Sequence, residues 1–178
     1  MKAWGLLAGL LLAVGAVTSA VAGGEEPSLE GIIQPDLSGR YVRLADLAYP
    51  GEEKPRHPRG VLVLNFMASW CEPCQRELPQ LLAVWREYKA KGVRLVLLSN
   101  DSLQDKSSLV KLVEKMGIEC DVLLDPYRLA AKRFGIEGIP HTLVFSREGQ
   151  LKSRAEGAKP DFETWLRSAL DTALDAKP

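Results

Sequence analysis

The stretch Trp70-Cys71-Glu72-Pro73-Cys74 constrains this chain more than any other. An apolar run, Val61-Leu62-Val63-Leu64-Asn65-Phe66-Met67, precedes it and reads as a buried strand. Gln75 to Trp85 follows, with apolar residues at helical spacing. The two cysteines therefore sit where a strand ends and a helix begins. The first turn of a helix offers unpaired N–H groups and the positive end of the macrodipole. Both favour a thiolate at Cys71, the form that attacks disulfides. Cys74 lies on the same helix face and can close a disulfide with Cys71. The pattern points to thiol–disulfide exchange. Zinc is the weaker alternative because it needs about four ligands. Only Cys120, His57 and His141 remain as sulfur or imidazole donors. A purely structural disulfide is the other alternative.

The chain has 178 residues, which fits one domain with additions. Its 23 basic and 23 acidic residues balance, so charge points to no nucleic-acid partner. At 46% hydrophobic it can bury a sizeable core. Residues 1–22 read as a signal peptide. Lys2 supplies the positive start, Leu6 to Val14 the apolar segment, and Ala20-Val21-Ala22 a cleavage pattern. The alternative is an uncleaved membrane anchor over residues 4–22, which are uncharged. Both readings place the rest of the chain outside the cytoplasm. Residues 23–31 read as a flexible leader, and residues 32–178 as the folded domain.

Within that domain, Ser38-Gly39 between two short alternating runs predicts a β-hairpin. Ala48 to Arg59, with three prolines, reads as a surface loop holding His57. A strand is expected over Gly60 to Met67 and a helix from Cys71 to about Lys91, with Pro79 inside it. Val93 to Ser99 predicts a second buried strand. Ser107 or Ser108 is expected to cap a helix ending near Gly117. A short strand follows from Cys120 to Leu124, then a helix opening at Asp125-Pro126 and reaching Phe134. His141–Phe145 and Leu151–Arg154 read as a hairpin. Asp161 begins a final helix with Phe162, Trp165, Leu166, Ala169, Leu170 and Leu174 on one face.

A hairpin followed by β-α-β-α-β-α-β-β-α implies an α/β fold, a mixed central sheet flanked by helices on both faces. With Asn65 to Cys74, Glu77-Leu78-Pro79 and Gly138-Ile139-Pro140-His141-Thr142, the chain resembles thioredoxin-fold proteins. More narrowly it resembles the exported TlpA/ResA-like thiol–disulfide oxidoreductases. The resemblance spans Ile32 to Leu174 and implies a thioredoxin-like three-layer fold with an N-terminal β-hairpin. Asn65 departs from the buried aspartate of thioredoxin itself, and Cys120 is an extra cysteine.

The resemblance implies roles. Cys71 attacks the partner and Cys74 resolves the mixed disulfide. Glu77, one turn after Cys74, exchanges protons with a cysteine once half-burial raises its pKa. Pro140 is cis, and Ile139 and Pro140 hold an extended substrate by backbone pairing. Glu72 and Pro73 tune the site, since a carboxylate beside the thiols disfavours a second negative charge. Trp70 either covers the thiols or packs. Cys120 reads as an inert core cysteine and His141 as a strand residue near the site. No cofactor beyond the Cys71–Cys74 disulfide is expected, and no metal. The expected activity is reduction of disulfides in exported proteins such as apocytochrome c. The electrons come from a membrane thiol donor to a monomeric, periplasmic protein. The alternative of another class is a Sco-like copper-binding module, although such modules use C-x-x-x-C where this chain has C-x-x-C.

Overall fold

The computed structural model describes residues 28–48 and 60–175. The expected signal peptide, most of the leader and His57 lie outside the described residues. Apolar alternation builds the sheet. In β3 (Val61–Met67), Val61, Val63 and Met67 point into one core, and Leu62, Leu64 and Phe66 into a second on the other face. A strand buried on both faces reads as a continuous apolar run, as this one does.

Five strands form the main sheet in the order β5-β4-β3-β6-β7. β3, β4 (Val93–Ser99) and β5 (Asp121–Leu124) run parallel. β6 (His141–Phe145) and β7 (Leu151–Glu156) are antiparallel additions on the other side of β3. The first core is covered by α2 (Glu72–Lys89), α3 (Lys106–Met116) and α5 (Phe162–Asp175). The second is covered by α1 (Leu44–Ala48) and α4 (Leu129–Arg133). The hairpin of β1 (Ile33–Pro35) and β2 (Tyr41–Arg43) forms as expected. The three-layer α/β architecture read from the sequence is the one observed.

Four details differ from expectation. α1 was not foreseen, because five residues carry too little periodic signal. Leu29, assigned to the leader, is buried in the second core, so the packed unit reaches upstream of Ile32. α3 is preceded by Asp105, and neither Ser107 nor Ser108 caps it. α4 begins at Leu129 rather than at Pro126. A turn over Asp125–Arg128 intervenes, and Arg128 adopts a left-handed conformation (φ 56°) that breaks helical continuity. Asp125 still caps α4 from a distance. Its carboxylate accepts from the Ala130 and Ala131 amides at 3.2 and 2.9 Å.

Candidate active site

The site is assembled at the end of β3, where the chain turns from the sheet into α2. Cys71 is the N-cap of that helix, and its Sγ accepts a hydrogen bond from the Cys74 amide at 3.2 Å. That N–H is one of the unpaired donors of the first turn, so it is placed to stabilise charge on the sulfur. Cys71 and Cys74 form a disulfide with Cα atoms 5.2 Å apart. Both residues are buried. Pro73 sits in the first turn of α2, where its missing N–H costs no helical bond.

The turn itself is held from β4. The Asp101 carboxylate, fully buried, accepts from the Ser69 amide at 2.8 Å and from the Ser69 hydroxyl at 2.5 Å. It also accepts from the Ser99 hydroxyl. Gln75 on α2 donates to the Ser69 carbonyl at 2.5 Å. The sequence points to no such role for Asp101. The only available signal was an aspartate directly beyond a buried strand.

Glu77 lies one turn beyond Cys74 and is 6% exposed. Its Oε2 has no hydrogen-bond partner. Burial pushes its pKa up from 4.5 to about 7, against a smaller lowering by the Lys159 amide. A cleft of about 270 Å³ lies over it, between Pro73 and Arg76 on α2 and Ala158 to Pro160 ahead of α5. Glu72 has a different setting. Its side chain is 84% exposed and paired with Arg76, so solvent and a counter-charge both screen it from the cysteines. Trp70 is 64% exposed, so it does not pack in the core.

β6 brings the second half of the site. Phe66 pairs with His141, which sets Ile139 and Pro140 at the cysteine end of β3. The Ile139–Pro140 peptide bond is cis. The Pro140 carbonyl accepts from Gly157 at 2.9 Å. Among the described residues, the backbone N–H and C=O of Ile139 make no hydrogen bond. Asn65, on the face of β3 that packs on α2, is buried and donates to the Thr142 hydroxyl at 2.9 Å. It is a satisfied structural group with no proton to give.

Cys120 stands apart. It precedes β5, at the opposite end of the parallel strands from Cys71. Burial, with the Asp121 charge, pushes its thiol up to about 12, so it carries no thiolate at neutral pH. His141 shares its sheet face with Leu143 and Phe145, away from α2 and the cysteine pair. Among the described residues, no group of three or more His, Cys, Asp or Glu side chains could hold a metal ion.

A mixed sheet with a cysteine pair at the start of its central helix and a cis proline on the adjoining strand defines a thioredoxin-fold disulfide-exchange protein. Residues 30–154 match the AhpC/TSA family. The chain is similar to thiol–disulfide oxidoreductase ResA of Bacillus subtilis (strain 168), at 28% identity over 153 residues, 83% of this chain and 79% of that one. It is also similar to ResA of Geobacillus kaustophilus (strain HTA426), at 30% identity over 135 residues, 75% of this chain and 71% of that one. In fold it is similar to a structure described as thiol:disulfide interchange protein DsbE from Chlorobium tepidum. The TM-score is 0.71 at 24% identity, over 85% of this chain and 98% of that one. The chain belongs to the AhpC/TSA family and, within it, to the thiol–disulfide oxidoreductases of the ResA kind.

Proposed function

We propose that this chain reduces disulfides in exported proteins, with apocytochrome c as a substrate of the right kind. The observation that carries the reading is Glu77, a buried carboxyl titrating near 7 one turn beyond the resolving cysteine. The Cys71 thiolate attacks a partner disulfide. One partner sulfur bonds to Cys71, and the other leaves as a thiolate and takes up a proton. Glu77 accepts the Cys74 proton, and the Cys74 sulfur then attacks Cys71. The Cys71–Cys74 disulfide forms as the bond from Cys71 to the partner breaks; the partner's second sulfur leaves as a thiolate and takes up a proton, and two electrons have passed to the partner. A membrane thiol donor restores the dithiol.

A carboxyl enclosed near the pair disfavours further negative charge, which keeps the thiol pKa values up and the disulfide hard to reduce. Glu72 adds little, because it is exposed and paired with Arg76. The free backbone groups of Ile139 suit an extended substrate that adds to this edge. Pro140 shapes that edge, Pro73 starts α2, and exposed Trp70 flanks the approach to Cys71. The domain acts as a periplasmic monomer, delivered by the signal peptide over residues 1–22 or held by it as an anchor.

A Cys74→Ala variant tests the reading. In the exported compartment it should accumulate mixed disulfides through Cys71, and the trapped proteins name the substrates. Trapping of membrane donors alone, with no exported disulfide protein, would overturn the substrate assignment.

A further inference from the structure

Among the described residues, Arg128 is the one non-glycine residue with a left-handed backbone (φ 56°, ψ 33°). That conformation is unfavourable for a residue with a Cβ, and a residue held in it points to a task at that position. The backbone there is fixed on both sides. The Arg128 amide donates to the Asp125 carbonyl at 2.9 Å, and its own carbonyl accepts from Lys132 at 2.9 Å. The side chain therefore starts from a rigid base. It is half-buried, and its Nε is enclosed with no hydrogen-bond partner, a second unfavourable feature of the same residue.

Both features accompany one contact. Nη2 of Arg128 donates to the Ile136 carbonyl at 3.0 Å and to the Glu137 carbonyl at 2.7 Å. These carbonyls lead into Gly138 and Ile139, and Ile139 is the residue whose backbone is free to pair with substrate. Upstream, the Ile136 amide donates to Ala131; downstream, the Pro140 carbonyl accepts from Gly157, both at 2.9 Å. Between those two anchors, among the described residues, the Arg128 bonds are the only hydrogen bonds the segment makes. The Ile139 side chain packs between the two cores, but Glu137 and Gly138 are exposed. The segment borders a cleft of about 300 Å³, and a Cβ added at Gly138 would meet no atom within 4 Å. A glycine in open space leaves the backbone loose, so the polar tether sets how firmly Ile139 is held.

We infer that Arg128 is a positioning residue for substrate: its guanidinium clamps the Ile136 and Glu137 carbonyls and pre-orders the Ile139 backbone for pairing with an extended polypeptide. The inference rests on the reading that substrate pairs along Ile139. A clamped backbone has lost its freedom before substrate arrives, whereas an unclamped one loses it on binding, which weakens the pairing. The clamp acts on recognition of a polypeptide backbone. It leaves the chemistry at Cys71 alone, because Arg128 and its two acceptors belong to the connection from β5 to β6, not to the turn and helix that carry the cysteines.

Peptides with one cysteine, held as a mixed disulfide with the coloured thiol 5-thio-2-nitrobenzoate, test this. The reduced Cys74→Ala protein displaces the coloured thiolate as Cys71 bonds to the peptide sulfur, so colour reports the rate. Single N-methyl groups are scanned through the backbone positions flanking the cysteine, each removing one N–H donor. 2-Mercaptoethanol held the same way supplies a disulfide with no peptide backbone. In the Cys74→Ala parent, methylation at one position should slow the peptide about fivefold, the scale of one net hydrogen bond. Adding Arg128→Gly, which suits the left-handed backbone and removes the guanidinium, should bring the unmethylated peptide down to the methylated rate. The methylated peptide and the mercaptoethanol disulfide should keep their rates, and the Cys71 titration should not move. Arg128→Asn tolerates the same backbone and is too short to reach the carbonyls, so it should behave as the glycine variant does. Arg128→Lys, which offers a single nitrogen as Nη2 does, should restore part of the difference. An unmethylated rate unchanged in the glycine and asparagine variants overturns the clamp. Equal slowing of all three disulfides also overturns it, because that marks a general loss of structure. If methylation slows the parent at no position, pairing along Ile139 itself fails, and the clamp fails with it.

Discussion

The Ser69 amide donates to the Asp101 carboxylate at 2.8 Å, across 32 residues of sequence. Ser69 is in the turn that delivers Cys71, and Asp101 is just past the end of β4. The bond therefore ties the cysteine-bearing turn to the neighbouring strand of the sheet. Three donors converge on this one buried carboxylate. Charge-assisted bonds of this kind are the stronger ones, and losing one leaves a buried donor without a partner.

Asp101→Asn should destabilise the protein by about 1–3 kcal/mol, because the amide replaces one acceptor oxygen with a donor that faces other donors. Exchange at Cys71 should slow as the turn loosens. Urea unfolding and a disulfide-exchange rate check the two effects. Unchanged stability would mean that the Ser69 and Ser99 hydroxyls simply reorient.

Glu77→Gln should lower the pH at which the Cys71 thiolate forms, since a nearby ionised carboxylate is removed and the shape is kept. Thiolate absorbance against pH measures this. Glu72→Gln should shift the same titration less, because Glu72 is exposed and paired with Arg76. A larger effect from Glu72 would reverse the assignment of the tuning group.

Stability against pH follows from the same burial. Glu77 titrates near 7 in the fold against 4.5 ordinarily. The folded state thus holds the proton more tightly, and between these two values the unfolded chain binds fewer protons. Its contribution to stability is fully present below 4.5, falls as pH rises, and is gone above about 7. Relative to Glu77→Gln, the parent protein should lose at most about 3 kcal/mol across that window, less to the extent that water reaches the carboxyl. Paired denaturation curves at several pH values give the difference. A constant difference across the window would place Glu77 in water.

The Cys71–Cys74 couple should be reducing, nearer ~−270 mV than ~−120 mV. Equilibration with glutathione of varied poise measures it. A value at the oxidising end would remove the reductase assignment.

Much of this was legible along the chain. The continuous apolar run of β3 and the 3–4 spacing in α2 and α5 each state a local period, and local period decides element type. The C-x-x-C between strand and helix marks its own chemistry for the same reason. The start of α4 was misread because Asp125-Pro126 satisfies the rules for a helix start, and the left-handed Arg128 carries no comparable signal. α1 was too short to show a period. Trp70 was left open between covering and packing, and only its exposure removes the packing reading.

By itself the sequence determined the order of elements, the placement of Cys71 and Cys74 at the head of a helix, and the helix face shared by Cys74 and Glu77. All of these depend on spacings of a few residues. The tertiary structure alone decided that Glu77 is enclosed beside the Ala158–Pro160 segment, that Asp101 anchors Ser69, and that His141 is buried with its Nε2 unpartnered. A pKa or an unpaired nitrogen depends on which groups exclude water, and here those groups come from distant parts of the chain. Spacing sets which face a side chain takes, and only packing sets what that face meets.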